Sequence, residues 1–160
     1  MSIAYIGLGS NLGDKAANLR AALEALGRHP QVRVQAVSPF YRSEPWGKTD
    51  QDWFVNAAAR LETDLSPLEL LDLLLETEKQ QGRERHEHWG PRTIDLDLLL
   101  YDELQMKTDR LTLPHPYLTQ RAFVLRPLLD LAPDLKDRVL ERDYASMLVA
   151  LGEAGDLRRL

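Results

Sequence analysis

An α+β sandwich of βαββαβ order is predicted by three features of the sequence. Short apolar runs alternate with two segments of helical period, and Gly, Pro, Asn and Asp punctuate the joins. The last of these runs carries two acidic residues at alternate positions. Each element follows from local chemistry. Residues 2–9 are apolar, short and dotted with glycine, which predicts a buried first strand. Gly9-Ser10-Asn11-Leu12-Gly13-Asp14 is turn chemistry that delivers a helix start. Leu19, Ala22, Leu23 and Leu26 then repeat at helical spacing until Gly27 and Pro30 close the helix. Val32, Val34 and Ala36 alternate with Arg33 and Gln35, so a half-buried second strand is expected over about 32–42. A polar loop at 43–52 leads to a third strand at about 53–63. Ser66-Pro67-Leu68-Glu69 places Pro at the first helical position and Glu where a capping box wants it. Leu68, Leu71, Leu74 and Leu75 supply the buried face of that second helix, which runs to about residue 81. A charged segment, 82–92, separates it from a strong strand at 93–101. This order defines a ferredoxin-like sandwich with two helices on one sheet face, and helices at 120–131 and near 143–152 are expected as C-terminal additions. No repeat or linker interrupts the chain, so residues 1–160 read as a single domain.

Composition narrows the class. With 44% hydrophobic and 28% charged residues, 160 residues suffice for an ordinary soluble core. The absence of cysteine excludes disulfides and thiolate metal sites, and is compatible with the cytoplasmic location expected here. No stretch approaches a membrane span, and the N-terminus lacks the basic flank and long apolar run of a signal peptide. A net charge of −5 argues against broad nucleic-acid binding. Arginines and histidines nevertheless crowd 83–92 and recur at Arg110, His115, Arg121 and Arg126, which suggests a focused anion site.

Arg92-Thr93-Ile94-Asp95-Leu96-Asp97-Leu98-Leu99-Leu100-Tyr101 alternates strictly through Leu98. Asp95 and Asp97 therefore share a strand face, their Cα atoms about 6.6–6.8 Å apart, with Ile94, Leu96, Leu98 and Leu100 expected to face the helices. Two ionised carboxylates on one face repel unless a cation lies between them, and hard oxygens at this spacing suit Mg²⁺. An exposed polar face is the plainer reading of the pair, although Asp is depleted in strands. In the preceding segment, arginine is fixed in charge and matches phosphate oxygens with a planar fork. Arginine beside a magnesium site is a phosphoryl-transfer set. Trp89 in that polar loop is either a packing residue or a cover for a heterocyclic ring. Gly7-x-Gly9-Ser10-Asn11-x-Gly13 fits neither the Rossmann fingerprint nor a P-loop. It is a capped tight turn or a backbone wall for a ligand. Phe54 and Asn56 share a face of the third strand, and a buried Asn there needs partners that a flat heterocycle could supply. His115, between Pro114 and Pro116, is a turn residue or a phosphate or ribose contact.

Taken together, these residues resemble the 6-hydroxymethyl-7,8-dihydropterin pyrophosphokinases of folate biosynthesis. His88-Trp89-Gly90-Pro91-Arg92-Thr93-Ile94-Asp95-Leu96-Asp97-Leu98-Leu99 is similar to the family signature throughout. Gly9-Ser10-Asn11-Leu12-Gly13, Phe40-Tyr41-Arg42-Ser43-Glu44-Pro45, Phe54-x-Asn56, Gln81-Gly82-Arg83-x-Arg85 and Leu113-Pro114-His115-Pro116 match in the same order, over about residues 3–135. The resemblance implies a ferredoxin-like fold, ATP as co-substrate, two Mg²⁺ ions and AMP as second product. It implies that Asp95 and Asp97 bind the metal and that Arg83 and Arg92 serve the chemical step; Asp97 is in addition a candidate for taking the hydroxyl proton, a role the sequence leaves open. Arg85, Trp89, Arg110, Thr112, His115 and Arg121, with backbone near Leu98, would hold ATP. Phe54 and Phe123 would sandwich the pterin, while Asn56 and backbone around Ser43, Pro45 and Trp46 read its edge. Segments 10–13, 43–52 and 82–92 correspond to the family's three mobile loops. Pro116-Tyr117 stands where the family often carries an arginine, which removes one possible ATP contact. A monomer with no nucleic-acid or membrane partner is expected. The rival readings are a metal-dependent nucleotidyltransferase or nuclease, separated by its products, and a ferredoxin-like RNA-binding module, disfavoured by the acidic net charge.

Overall fold

The computed structural model describes residues 1–43, 53–81, 93–137, 141–152 and 157–160. Its core is the predicted βαββαβ order, with one strand divided. The sequence folds as β1 (Ser2–Ser10), α1 (Lys15–Gly27), β2 (Val32–Val37), β3 (Tyr41–Ser43), β4 (Phe54–Thr63), α2 (Pro67–Gln80) and β5 (Asp95–Tyr101). The strand expected over 32–42 is two strands, β2 and β3, which pair with successive stretches of β4. The break falls at Ser38-Pro39-Phe40, because proline has no N–H to give the ladder. Ser38 bridges the gap: its N–H donates to the Ala58 carbonyl, and its Oγ accepts the Ala58 N–H, each at 2.9 Å.

β4 and β5 flank β1 antiparallel, so the first and third core strands, β1 and β4, are central and the last, β5, lies at the edge among the described residues, as in a ferredoxin-like sandwich. Beyond the core come β6 (Met106–Lys107) and β7 (Thr112–Leu113), which form a hairpin, then α3 (Ala122–Leu131), the β8 (Lys136–Asp137) and β9 (Arg142–Asp143) hairpin, α4 (Tyr144–Leu151) and β10 (Arg158–Arg159). The two helices were expected; the hairpins are too short to leave a periodic signal. β10 extends the main sheet by pairing with β3.

Capping sets the helix starts. Asp14 accepts the Ala17 N–H at 3.1 Å ahead of α1, and Ser66 with Glu69 forms the reciprocal box at α2. On α2 the buried residues are Leu70, Leu74, Thr77 and Glu78, with Leu68 and Leu71 packed at the margin; Leu75, expected inside, is exposed. The helix is rotated so that Leu74 rather than its neighbour meets the sheet.

The sheet has two differently covered faces. Ala4, Ile6 and Leu8 of β1, Val55, Ala57, Ala59 and Leu61 of β4, and Ile94, Leu96 and Leu98 form one core with Leu19, Leu26, Leu70 and Leu74 of α1 and α2. A second core joins Leu99 and Leu100 to Leu118, Leu125, Leu128, Tyr144 and Leu148, under α3 and α4. Leu100 was expected in the first core. A register shift against β1, between Tyr5 and Ile6, leaves Leu99 as an extra residue and inverts the alternation beyond it. Leu100 thus turns to the second core, and Tyr101 turns to the first, where its hydroxyl donates to the Leu65 carbonyl. α3 is fastened to its face by polar contacts. The Tyr41 hydroxyl donates to Asp130, and Arg60 donates to the Leu131 carbonyl at 2.7 Å. Burial, with the adjoining Asp130 carboxylate, raises the Tyr41 pKa. Among the described residues no helix is long and apolar enough to cross a membrane.

Candidate active site

Among the described residues, the face that carries α3 and α4 is only partly covered, and the remainder is polar. Strand period puts Gly7 and Gly9 of β1, Phe54 and Asn56 of β4, and Asp95 and Asp97 of β5 on this side. In register, Asp95 lies opposite Gly9, which lies opposite Asn56, which lies opposite Tyr41; Asp97 lies opposite Gly7. Two glycines therefore separate the carboxylate pair from the Asn56 amide, leaving a bare floor about 9–10 Å across at strand spacing. A Cβ on Gly9 would meet Asn56 Nδ2 at 3.0 Å. That amide is in turn fixed, because the buried Ser43 Oγ donates to Asn56 Oδ1 at 2.6 Å. Of the two readings of the Gly7–Gly13 motif, the tight turn is seen directly. Gly13, with φ of 69°, makes the turn, and Gly9 keeps the floor open.

Both aspartates are half-exposed on one face, the arrangement predicted. The backbone between them is held from behind. Glu78 of α2, buried, accepts the Leu96 N–H at 2.7 Å on the outer edge of β5. By strand period, Leu98 presents its backbone on that same edge while its side chain fills the first core. His115 is tied to this edge by its N–H, which donates to the Leu99 carbonyl at 3.0 Å. Its Nε2 lies 3.9 Å from Asp97 Oδ1, the outer limit of an ion pair. Burial pushes the imidazole below its ordinary 6.5, and the Arg121 cation adds to this against the opposing pull of Asp95. Neutral at neutral pH, His115 is a hydrogen-bonding group rather than a charge.

From His115 a chain of side chains leads to α3. The His115 and Tyr117 ring centroids are 5.7 Å apart. The Arg121 guanidinium lies 4.6 Å from the Tyr117 ring and 5.7 Å from the Phe123 ring. Asp97, His115, Arg121 and Phe123 are thus brought together, with Tyr117 as the link that sequence reasoning missed. An aromatic two residues beyond His115 was the available signal. Arg110 stands apart from this chain and pairs with Asp72 of α2. Thr112, on β7, lies beside β5. Arg83, Arg85, Trp89, Arg92, Pro45 and Trp46 lie outside the described residues, as do segments 44–52 and 82–92.

Two half-exposed carboxylates beside a glycine floor suit a hard divalent cation that keeps its waters and shares phosphate ligands. Fold and site define a ferredoxin-like α+β protein with a polar site on the sheet face that its helices leave open. Within that class, the chain belongs to the 7,8-dihydro-6-hydroxymethylpterin-pyrophosphokinase (HPPK) family, whose model matches residues 5–133. It is 53% identical over 135 residues to the 2-amino-4-hydroxy-6-hydroxymethyldihydropteridine pyrophosphokinase of Methylorubrum extorquens, covering 84% of this chain and 85% of that one. It is 52% identical over 132 residues to the protein of the same name from Pseudomonas aeruginosa, covering 82% of each. In structure it is similar to Plasmodium falciparum HPPK-DHPS wild type with pteroate, with a TM-score of 0.78 at 14% identity. That match covers 99% of this chain and 47% of that one, and it supports the fold alone.

Proposed function

We propose that this protein transfers the terminal diphosphate of ATP to the hydroxymethyl oxygen of 6-hydroxymethyl-7,8-dihydropterin, giving the diphosphate ester and AMP, as a single-domain, monomeric cytoplasmic enzyme of folate biosynthesis. The observation that carries this reading is the glycine floor, flanked on one side by Asp95 and Asp97 and on the other by the Ser43–Asn56 pair. A flat heterocycle with donor and acceptor edges fits the amide side, against Phe54 and under the Phe123 end of α3. Its reacting hydroxymethyl group would then extend over the glycines toward the carboxylates.

Asp95 and Asp97 would hold Mg²⁺, two ions by family resemblance, which when bound neutralises phosphate charge. The protein's own residues supply position and electrostatics. Glu78 fixes the Leu96 backbone, so the two aspartates keep a common direction. His115, neutral, can donate or accept a hydrogen bond at a phosphate or ribose oxygen, and Arg121 presents a fixed cation beside it. Thr112, Arg110, Arg85, Trp89 and the Leu98 backbone complete the proposed ATP contacts. Arg83 and Arg92 are assigned to charge developing on the transferred group, and Asp97 to the hydroxyl proton.

Incubation with ATP, Mg²⁺ and the reduced hydroxymethyl pterin, assayed for AMP and the pterin diphosphate, tests the reading. Released pyrophosphate with a nucleotidylated product would replace it with the nucleotidyltransferase alternative.

A further inference from the structure

On the helix side of the sheet margin, behind Ser43 and Phe54, three segments meet on one indole ring. The Lys15 Nζ lies 4.1 Å from the Trp53 ring centroid, and the Arg42 Cζ lies 4.5 Å from it. Both distances are within the ~6 Å at which a cation is drawn to an indole face. Lys15 is the first residue of α1 and is buried, although a cation at a helix start opposes the helix dipole. A second cation on the same ring adds repulsion. The helix dipole and the second cation both oppose this placement, and the indole face supplies an attraction that offsets them.

The three residues adjoin the segments that line the amide side of the floor. Lys15 follows the turn of Gly9 to Asp14, Arg42 precedes Ser43, and Trp53 precedes Phe54. Arg42 lies opposite Val55 and Ser43 opposite Phe54, so Arg42 faces the first core while Ser43, Phe54 and Asn56 face the site. Trp53 packs against that first core. The ring thus holds, from the rear, the same strand ends whose fronts carry Ser43, Phe54 and Asn56.

We propose that the Lys15–Trp53–Arg42 stack is the positioning element of the pterin subsite. It sets the spacing of β3 and β4 at their open ends, so that the Ser43–Asn56 pair and the Phe54 ring stand ready for a flat heterocycle. The stack touches no substrate and acts through those three residues; the inference rests on the pterin reading above. A purely structural ring, once removed, would lower stability and weaken both substrates alike. A positioning ring weakens one.

The test compares Trp53→Leu, Trp53→Phe and Arg42→Met with the unsubstituted protein. The readouts are KM for the pterin and for ATP, calorimetric titration with the hydroxymethyl pterin, and thermal melting. Trp53→Leu is expected to raise pterin KM and Kd about tenfold, Arg42→Met about threefold, and Trp53→Phe, which keeps a ring, less than Trp53→Leu. KM for ATP should stay within about twofold in all three. Equal losses for both substrates, or an unchanged pterin Kd in Trp53→Leu, would overturn the proposal. Should Trp53→Leu fail to fold, Arg42→Met decides by the same criterion, since it leaves the ring in place. An unsubstituted protein that binds no hydroxymethyl pterin would overturn this inference together with the functional reading. Normal binding in both parent and variant overturns this inference alone.

Discussion

The two faces of the central sheet use the same strands for opposite purposes. On the α1/α2 face every strand position between the helices is filled: Ile6, Leu61, Ile94 and Leu98 are all almost completely buried. On the other face the corresponding positions of β1 are glycines, and β5 offers carboxylates where it could have offered leucines. The difference shows how one sheet can be both scaffold and site. Stability resides in side chains that fill space on one side, and binding capacity in side chains withheld on the other. Substitutions should accordingly divide into those that abolish chemistry with little loss of stability and those that do the reverse.

The sharpest division is expected at β5. Asp95→Ala should reduce Mg²⁺-dependent AMP formation on the order of 10³-fold, by analogy with removal of other charge-stabilising groups. Its melting temperature should hold or rise, because a carboxylate repelled by Asp97 has been removed. Near-normal turnover would break the comparison. On the filled face, Leu74→Ala should cost about 2–5 kcal/mol in urea unfolding, with KM values unchanged in the protein that remains folded. Gly9→Ala is an intermediate case. Its Cβ meets an amide that Ser43 already restrains, so pterin KM should rise roughly threefold to tenfold, while ATP KM changes less. Equal affinity for pterin would mean that Asn56 can yield and that the floor is not its limit.

The smallest effect belongs to the scaffold alone. Hydrogen bonds from the Ser66 backbone and side chain lower the Glu69 pKa below its ordinary 4.5. A carboxylate with a depressed folded pKa contributes stability that is present above about 4.5 and lost as pH falls through the folded value. Glu69→Gln should therefore flatten the acid limb of a pH–stability curve slightly, leaving activity at neutral pH untouched. An unaltered acid limb would remove Glu69 from the account.

Much of this division was legible in the sequence, because period and capping are local. The alternation of Ile94 through Leu98 fixed which residues point with the aspartates, and Ser66 with Glu69 announced the start of α2. What escaped depends on partners distant in the chain. The bulge at Leu99 arises from pairing with Tyr5 and Ile6, so Leu100 could not be assigned to its core from β5 alone. The division of the second strand at Pro39 was readable in principle, but the hydrophobic alternation ran through it. On the site face, Asn56, Phe54 and His115 were singled out by residue type, whereas Tyr117 stands out only because its ring lies near both His115 and Arg121. Nothing in the sequence sets Glu78 apart from the other charges of α2, and only the folded structure turns it inward to the Leu96 N–H.

The extra residue in β5 has a consequence for how the aspartates are anchored. Because the strand changes sides at Leu99, its first half is gripped by one hydrophobic cluster and its last residues by both. Sliding the carboxylates along the strand axis would require Leu98 and Leu100 to leave separate cores together. A lateral tilt is opposed by Glu78 on one flank and by β1 on the other. The acidic pair is thus registered from both sides of the molecule by a single inserted residue.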